Sequence, residues 1–371
     1  METLKTHTLE LSGSSYEIGR QSGARIKRIP GLVELHTKQK SAFSSRDARE
    51  AMLLFDRWCP GLTEELAGCA DVLQVPPEQL LFYSMTYLVP RCSQIAVLPK
   101  ISAAGVPLLA RNYEFSQRTE DFCLIKTAVN GRYTHLCTSV LHFGRDDGFN
   151  EAGLAVTMSS CGFPVGADSY MRAPKLKGLQ FWVVIRSLLE NCRTVDEALA
   201  YLAEMPIAYN LNLMLLDKSG KAALYETLDG SRGVKVIDGD TEQQLLYATN
   251  HALLPAISRR EPQQMQHSAV RYRFIEQQLQ GQVSISRSQL RELLTAAYPE
   301  GLCCHFFDEF FGTTKSMILS PAEGTLELLW GGEAANGWRL YDIRQPLPEE
   351  TATIQIRSEK APPGTFDWQP A

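Results

Sequence analysis

The sequence predicts an α+β fold built in layers. Helical periodicity fills most of the first 91 residues, and from Cys92 the texture turns to short apolar runs bounded by turn residues. Those runs give way to two helical segments before strands return, the strand–helix–strand order of a layered α+β chain. With 44% hydrophobic and 21% charged residues and no long polar or low-complexity tract, the chain should fold throughout. Its 371 residues leave one domain or two open.

A short strand at Thr6–Leu11 comes first, and Ser14 or Ser15 then caps a helix through Ile29. PGLTEELAGCADVLQV opens with Pro60 near a first turn and lines Leu62, Leu66, Ala70 and Leu73 along one face. PPEQLLFYSMTYL repeats the proline-first pattern, so two short helices precede Cys92. Strands follow at SQIAVL, VPLLARNYEF, FCLIKTAV and YTHLCTSVLHF, with Asn130-Gly131 marking a hairpin between the last two. After GLAVTMSSCGF, helices are expected at Leu179–Leu189 and Val195–Met205, then strands at LNLMLL, KAALYE, GVKVID and QLLYAT. Helices return at Ser268–Leu279 and Ser286–Ala297, and KSMILS with TLELLW forms a closing hairpin. No repeat of roughly 20–50 residues is visible.

A net charge of −5 with scattered Lys and Arg argues against nucleic acid and anionic membrane as partners. METLKTHTLELSGSSYEIG lacks an apolar signal core, and no stretch reaches the roughly 18 apolar residues of a bilayer span, so the expected location is the cytoplasm. Nine cysteines without framework spacing read as reduced thiols, with Cys59, Cys69, Cys123, Cys137 and Cys192 in apolar, core-like surroundings. Cys303-Cys304-His305 lacks a second ligand pair, so no metal is expected. Neither a dinucleotide fingerprint nor a phosphate loop is present, so no cofactor is expected either.

Cys92 is distinguished by position: it starts the first strand of the β-rich region, directly after a leader ending in Val89-Pro90-Arg91. By itself a strand cysteine reads as core, since free cysteine is among the most buried residue types. If the Arg91–Cys92 bond were cut, however, one residue would carry a thiol and a free α-amine. An α-amine with a pKa of about 7.7–8.0 is a serviceable base near neutrality.

The stretch CSQIAVLPKISAAGVPLLARNYEF resembles the nucleophile hairpin of choloylglycine hydrolases and penicillin V acylases, with Arg111-Asn112-Tyr113-Glu114 in place of Arg-Asn-x-Asp. The leader, with Gly13, Glu17, Gly19 and Gly23 spaced as in GSSYEIGRQSG, resembles instead the acyl-coenzyme A:isopenicillin N (6-aminopenicillanic acid) acyltransferase branch of these N-terminal-nucleophile hydrolases. Further matches follow in family order: Gly148 to Thr157, Leu213 to Glu226, Ala248 to Pro255 and His267 to Leu279. The resemblance implies a four-layer αββα sandwich with a helical N-terminal leader. It also implies self-cleavage into a chain of residues 1–91 and a catalytic chain of residues 92–371, held together by shared core.

By matched position the resemblance implies roles for individual residues. Cys92 is the nucleophile, and Arg111 lies beside it to favour the thiolate. Glu114 stands where the family has an aspartate that accepts a hydrogen bond from the α-amine, one methylene longer. Asn250 supplies an oxyanion donor, and a second donor lies within Ser159–Cys161. Arg271 closes the network, although on a helix it reads equally well as a solvated charge. The implied activity is hydrolysis or transfer at a linear amide C–N bond through an acyl-Cys92 intermediate. The partners are then a small-molecule amide or acyl donor and an amine acceptor; a coenzyme A thioester would be a substrate, and the two-chain protomer is free to pair further. Two rival classes stay open: a Cys–His thiol hydrolase using His251, His142 or His305 without chain cleavage, and an unprocessed relative that binds without catalysis.

Overall fold

The computed structural model describes residues 1–37, 45–80, 89, 91–163 and 175–371. The leader carries β1 (Glu2–Gly13), α1 (Ser15–Arg28), α2 (Leu32–Thr37), α3 (Ser45–Trp58), α4 (Leu62–Leu73) and α5 (Pro77–Leu80). α5 opens the second proline-first helix; the rest of that segment, residues 81–88, lies outside the described residues, as does Pro90. Ser14 caps α1 in a capping box: its Oγ accepts from the Glu17 N–H at 3.3 Å, and Glu17 Oε2 accepts from the Ser14 N–H at 2.8 Å. α1 lies directly on α4, because a Cβ at Gly19 would collide with the Glu65 carbonyl and one at Gly68 with that of Tyr16. The leader is therefore more than helical, since β1 is a long strand in a sheet.

Then come β2 (Arg91–Val97), β3 (Leu108–Phe115), β4 (Cys123–Val129), β5 (His135–Val140), β6 (Gly144–Asn150) and β7 (Leu154–Ser160). Next are α6 (Phe181–Asn191), α7 (Val195–Glu204), β8 (Leu211–Asp217), β9 (Ala222–Leu228), β10 (Ser231–Ile237) and β11 (Leu245–Ala248). The chain continues through α8 (Pro255–Ser258), β12 (Gln263–Met265), α9 (Gln266–Leu279), α10 (Arg287–Thr295) and β13 (His305–Phe306). It finishes with β14 (Phe311–Ser320), β15 (Thr325–Trp330), β16 (Arg339–Asp342), β17 (Glu350–Ile356) and β18 (Trp368–Pro370). β4 and β5 pair antiparallel on either side of Asn130-Gly131, and β14 pairs with β15, but that hairpin does not close the chain. β17 returns to pair with β1.

A nine-stranded sheet runs in the order β10-β9-β8-β7-β6-β5-β4-β1-β17, and a seven-stranded sheet in the order β11-β2-β3-β14-β15-β16, with β13 on β14. Strand alternation distributes their side chains into three apolar layers. Ala96, Leu109, Met214, Leu224 and Met317 meet between the sheets. Leu213, Leu215 and Val156 turn the other way, against Val184 and Leu188 of α6 and Leu66 of α4. Ile95, Val97, Leu108 and Ala110 back onto Ile275 of α9 and Leu290 of α10. Helices outside and two sheets inside make the α+β, four-layer αββα sandwich.

The leader is joined to this sandwich by charge as well as apolar packing. Arg186 of α6 reaches Glu65 of α4 at 2.5 Å and Glu190 at 2.8 Å, all three fully buried. β6 carries three successive charged residues, Arg145, Asp146 and Asp147, and each is buried and bonded.

Candidate active site

Pairing of β2 with β3 sets Cys92 opposite Tyr113 and Gln94 opposite Arg111, so Arg111 lies diagonally across from Cys92 on the face between the sheets. Arg111 Nη2 donates to Cys92 Sγ at 2.7 Å. Its Nη1 pairs with Asp147 of β6, in the facing sheet, and the guanidinium lies 4.8 Å over the Tyr113 ring. Cys92, Arg111 and Asp147 are all fully buried, so Arg111 is no surface arginine.

On the backbone side, the Cys92 N–H donates to Asn250 Oδ1 at 3.0 Å. Arg271 Nη2 donates to the same oxygen at 2.8 Å, and its Nη1 pairs with Glu114 Oε2 at 2.7 Å. Asn250 Nδ2 donates to the Ser160 carbonyl at 3.0 Å and to Ser160 Oγ at 3.2 Å, which brings the Ser159–Cys161 segment to the site. α9 fixes this arrangement. Ser268 and Arg271 project from one face of α9, and Ser268 Oγ accepts from the Asn250 N–H at 2.7 Å. The solvated-charge reading of Arg271 is overturned, since it is fully buried.

Glu114 is already engaged. The register sets it opposite Arg91, and its carboxylate is held by Arg271 and, at 3.3 Å, by Thr313 Oγ1. In the intact chain the Cys92 amide donates to Asn250 Oδ1; the bond expected at Glu114 is one from a free α-amine, which this chain does not carry at Cys92. Meanwhile the fixed cation of Arg271 takes the Glu114 carboxylate. Asn250 likewise meets Cys92 through its carbonyl oxygen while its N–H groups are engaged by Ser160.

Electrostatics sort these groups. Burial pushes the Cys92 thiol up against the pull of Arg111, with Glu114 and Asp147 also pushing upward. Burial raises Glu114 to about 7 against the pull of Arg271, and Asp147 to about 7 against that of Arg111. Burial and the neighbouring Arg271 lower His251 to about 4. Two of the three candidate histidines bond away from any cysteine, His251 Nδ1 to Ser268 Oγ at 2.8 Å and His142 to Arg25 at 3.4 Å; His305 Nε2 does lie 3.5 Å from Cys303 Sγ, but burial lowers that imidazole and pushes that thiol up to about 12. No metal-holding cluster exists among the described residues, and all nine cysteines are free and buried.

Sequence reasoning missed the charges behind Arg111. Lys315 of β14, fully buried, holds Asp146 at 2.6 Å and Glu120 at 3.2 Å, and its ammonium lies 4.1 Å from the centre of the Tyr113 ring. Gln94, also missed, accepts from Thr157 Oγ1 at 2.6 Å and donates to Ser159 Oγ at 3.1 Å, tying β2 to β7. The available signal was a lysine heading the apolar run KSMILS and the adjacent pair Asp146-Asp147 just before GFNEAGLAVT.

Residues 102–335, well over half of the chain, match the family described as acyl-coenzyme A:6-aminopenicillanic acid acyl-transferase. The match holds Arg111, Glu114, Asn250 and Arg271 and begins just after Cys92. Comparison with curated protein sequences finds no match. Among solved structures, the chain is similar to a mutant of conjugated bile acid hydrolase from Clostridium perfringens, at 12% identity and a TM-score of 0.42, covering 73% of this chain and 98% of that one. It is also similar to a Caenorhabditis elegans N-acylethanolamine-hydrolyzing acid amidase ortholog, at 15% identity and a TM-score of 0.44, covering 62% and 93%. Penicillin V acylase from Agrobacterium tumefaciens is similar at 16% identity and a TM-score of 0.34, covering 67% and 77%. None of these likenesses is close enough to assign a residue.

Proposed function

We propose, from the premise that this chain belongs to the acyl-coenzyme A:6-aminopenicillanic acid acyl-transferase family, that it is a self-processing cysteine enzyme that cleaves or forms a linear amide bond. The observation that carries the reading is the pair of contacts on one buried residue: Arg111 on the Cys92 sulfur at 2.7 Å and Asn250 on its nitrogen at 3.0 Å. Nucleophile and future base are thus each held before the base exists.

In this reading, Cys92 Sγ adds to the Arg91 carbonyl carbon, the Arg91–Cys92 C–N bond breaks, and the nitrogen takes up the thiol proton. Water then cleaves the thioester, leaving a carboxylate on Arg91 and a thiol and α-amine on Cys92, in chains of residues 1–91 and 92–371. The amine becomes the base that the intact chain lacks. The thiolate next attacks a substrate amide, the α-amine passes a proton to the leaving amine, and water or an acceptor amine releases the acyl group. Asn250 serves the oxyanion by exchanging the Ser160 carbonyl for it; Arg271 and Glu114 keep the asparagine in place. A coenzyme A thioester would enter as an acyl donor.

Intact mass and a denaturing gel of wild type and Cys92→Ala test the reading. Two wild-type chains, one beginning at Cys92, and a single mutant chain are expected. One uncut chain in both would overturn self-processing, and amide turnover by that uncut chain would then separate a Cys–His hydrolase from binding without catalysis.

A further inference from the structure

The side chain that precedes Cys92 is itself seated. Arg91 Nη1 lies 2.9 Å from His267 Nε2 and 2.7 Å from Met265 Sδ, and its guanidinium carbon lies 5.8 Å over the Phe311 ring and 6.0 Å over that of Phe366. Three segments distant in sequence build this seat. β12 pairs with the C-terminal β18, and the loop before β18 brings Phe366 edge-on to Phe311 at 5.5 Å. Burial and the cations of Arg271 and Arg91 hold the His267 imidazole well below its usual range, so it is neutral and has one acceptor nitrogen. Arg271, held by Glu114, Asn250 and the His267 carbonyl, also sets its Nη2 3.0 Å from His267 Nδ1, so the imidazole stands between the two guanidinium groups and Nε2 is the nitrogen that faces Arg91. Aromatic faces, a sulfur and a neutral ring nitrogen are the lining expected around a planar cation.

Self-cleavage at this bond makes Arg91 the acyl half of the amide that breaks, so its side chain marks where an acyl substituent runs when its carbonyl is beside Cys92. We infer that the cradle of Met265, His267, Phe311 and Phe366 is the acyl subsite of the processed enzyme, and that it takes acyl groups ending in a guanidinium at arginine's distance from the carbonyl. This rests on the amidohydrolase or acyltransferase reading above. The predicted substrates are arginyl or guanidinopentanoyl amides. Cys92 Sγ bonds to the acyl carbon, the C–N bond breaks, the leaving amine takes the proton, and water then frees the guanidino acid and restores the thiol.

Two measurements test it. The first uses full-length Cys92→Ala, which cannot split, with and without Arg91→Ala. Ethylguanidinium, the fragment that Arg91→Ala removes, should raise the melting temperature of the double variant more than ethylammonium does, and more than it raises that of Cys92→Ala alone. No such difference overturns the site. The second compares kcat/KM for guanidinopentanoyl and hexanoyl anilides on processed wild type and processed Arg91→Ala, where the leader's own terminus no longer competes. A preference of about tenfold or more for the guanidino substrate is expected, falling about tenfold in Phe366→Ala. Ethylguanidinium rescue with equal turnover of both anilides overturns the acyl assignment. Rescue with no turnover of any amide sinks the enzyme reading and the acyl assignment with it, but leaves a guanidinium site.

Discussion

The two flanks of Cys92 are built differently. Its nitrogen is approached from α9 and the strand end after β11, by Asn250, Arg271 and Glu114, a set in which each member touches the next. Its sulfur is approached through Arg111, behind which stand Asp147, Asp146, Lys315 and Glu120, drawn from both sheets. The nitrogen side is a short chain of groups aimed at one atom. The sulfur side is a buried charge lattice that joins the sheets, and Arg111 is the one member of it that touches Cys92. Damage on the first side should therefore register mainly as lost chemistry, and damage on the second mainly as lost stability.

The largest break should come from Arg111→Met, which strands Asp147 without its cation; removing one partner of a buried pair costs about 3–5 kcal/mol. A denaturant titration measures it, and adding Asp147→Leu should recover most of the loss. Unchanged stability in the single variant would erase the distinction between the flanks. Asn250→Ala should slow chain splitting by about 100–1000-fold while the melting temperature stays close to that of wild type; the half-time of splitting on a gel reads this directly. Splitting at wild-type speed would remove Asn250 from the oxyanion.

A smaller effect follows from protons. Glu114, Glu120 and Asp147 sit near 7 and Asp121 near 6, above their usual range because burial dominates each. The folded state then binds more protons than the unfolded one, so the stability these groups lend is full below about pH 4 and is lost as pH rises through 6 to 7. The melting temperature should fall between pH 5 and pH 8; a rise over that window would refute the assignment. Glu114→Gln removes one of these four groups and should flatten the slope by about a quarter.

What could be read from the sequence divides along the same line. Cys92, Arg111, Asn250 and Arg271 came from a resemblance carried by local motifs, and the structure brings them into one buried cluster. The α+β class was legible from the order of strand, helix and strand segments, and the four-layer order came with the same resemblance. Lys315, Asp146 and Asp147 were not, because buried charges look the same as surface charges until their partners across the sandwich are known. Glu114 was legible as a site residue, but its partner was not: which neighbour captures a carboxylate depends on register and on a cation from a distant helix. The guanidinium seat is built from residues near 265, 311 and 366, which no local spacing connects to Arg91.

The position of β1 sets an order of events. It runs between β17 and β4, hydrogen-bonded on both edges, so the strand that would belong to the smaller product is an interior strand of the larger product's sheet. Such a strand cannot be added last to a finished edge. If the chain is cut before Cys92, folding must come first, and residues 1–91 and 92–371 produced separately and mixed should fail to rebuild the fold that the single chain reaches.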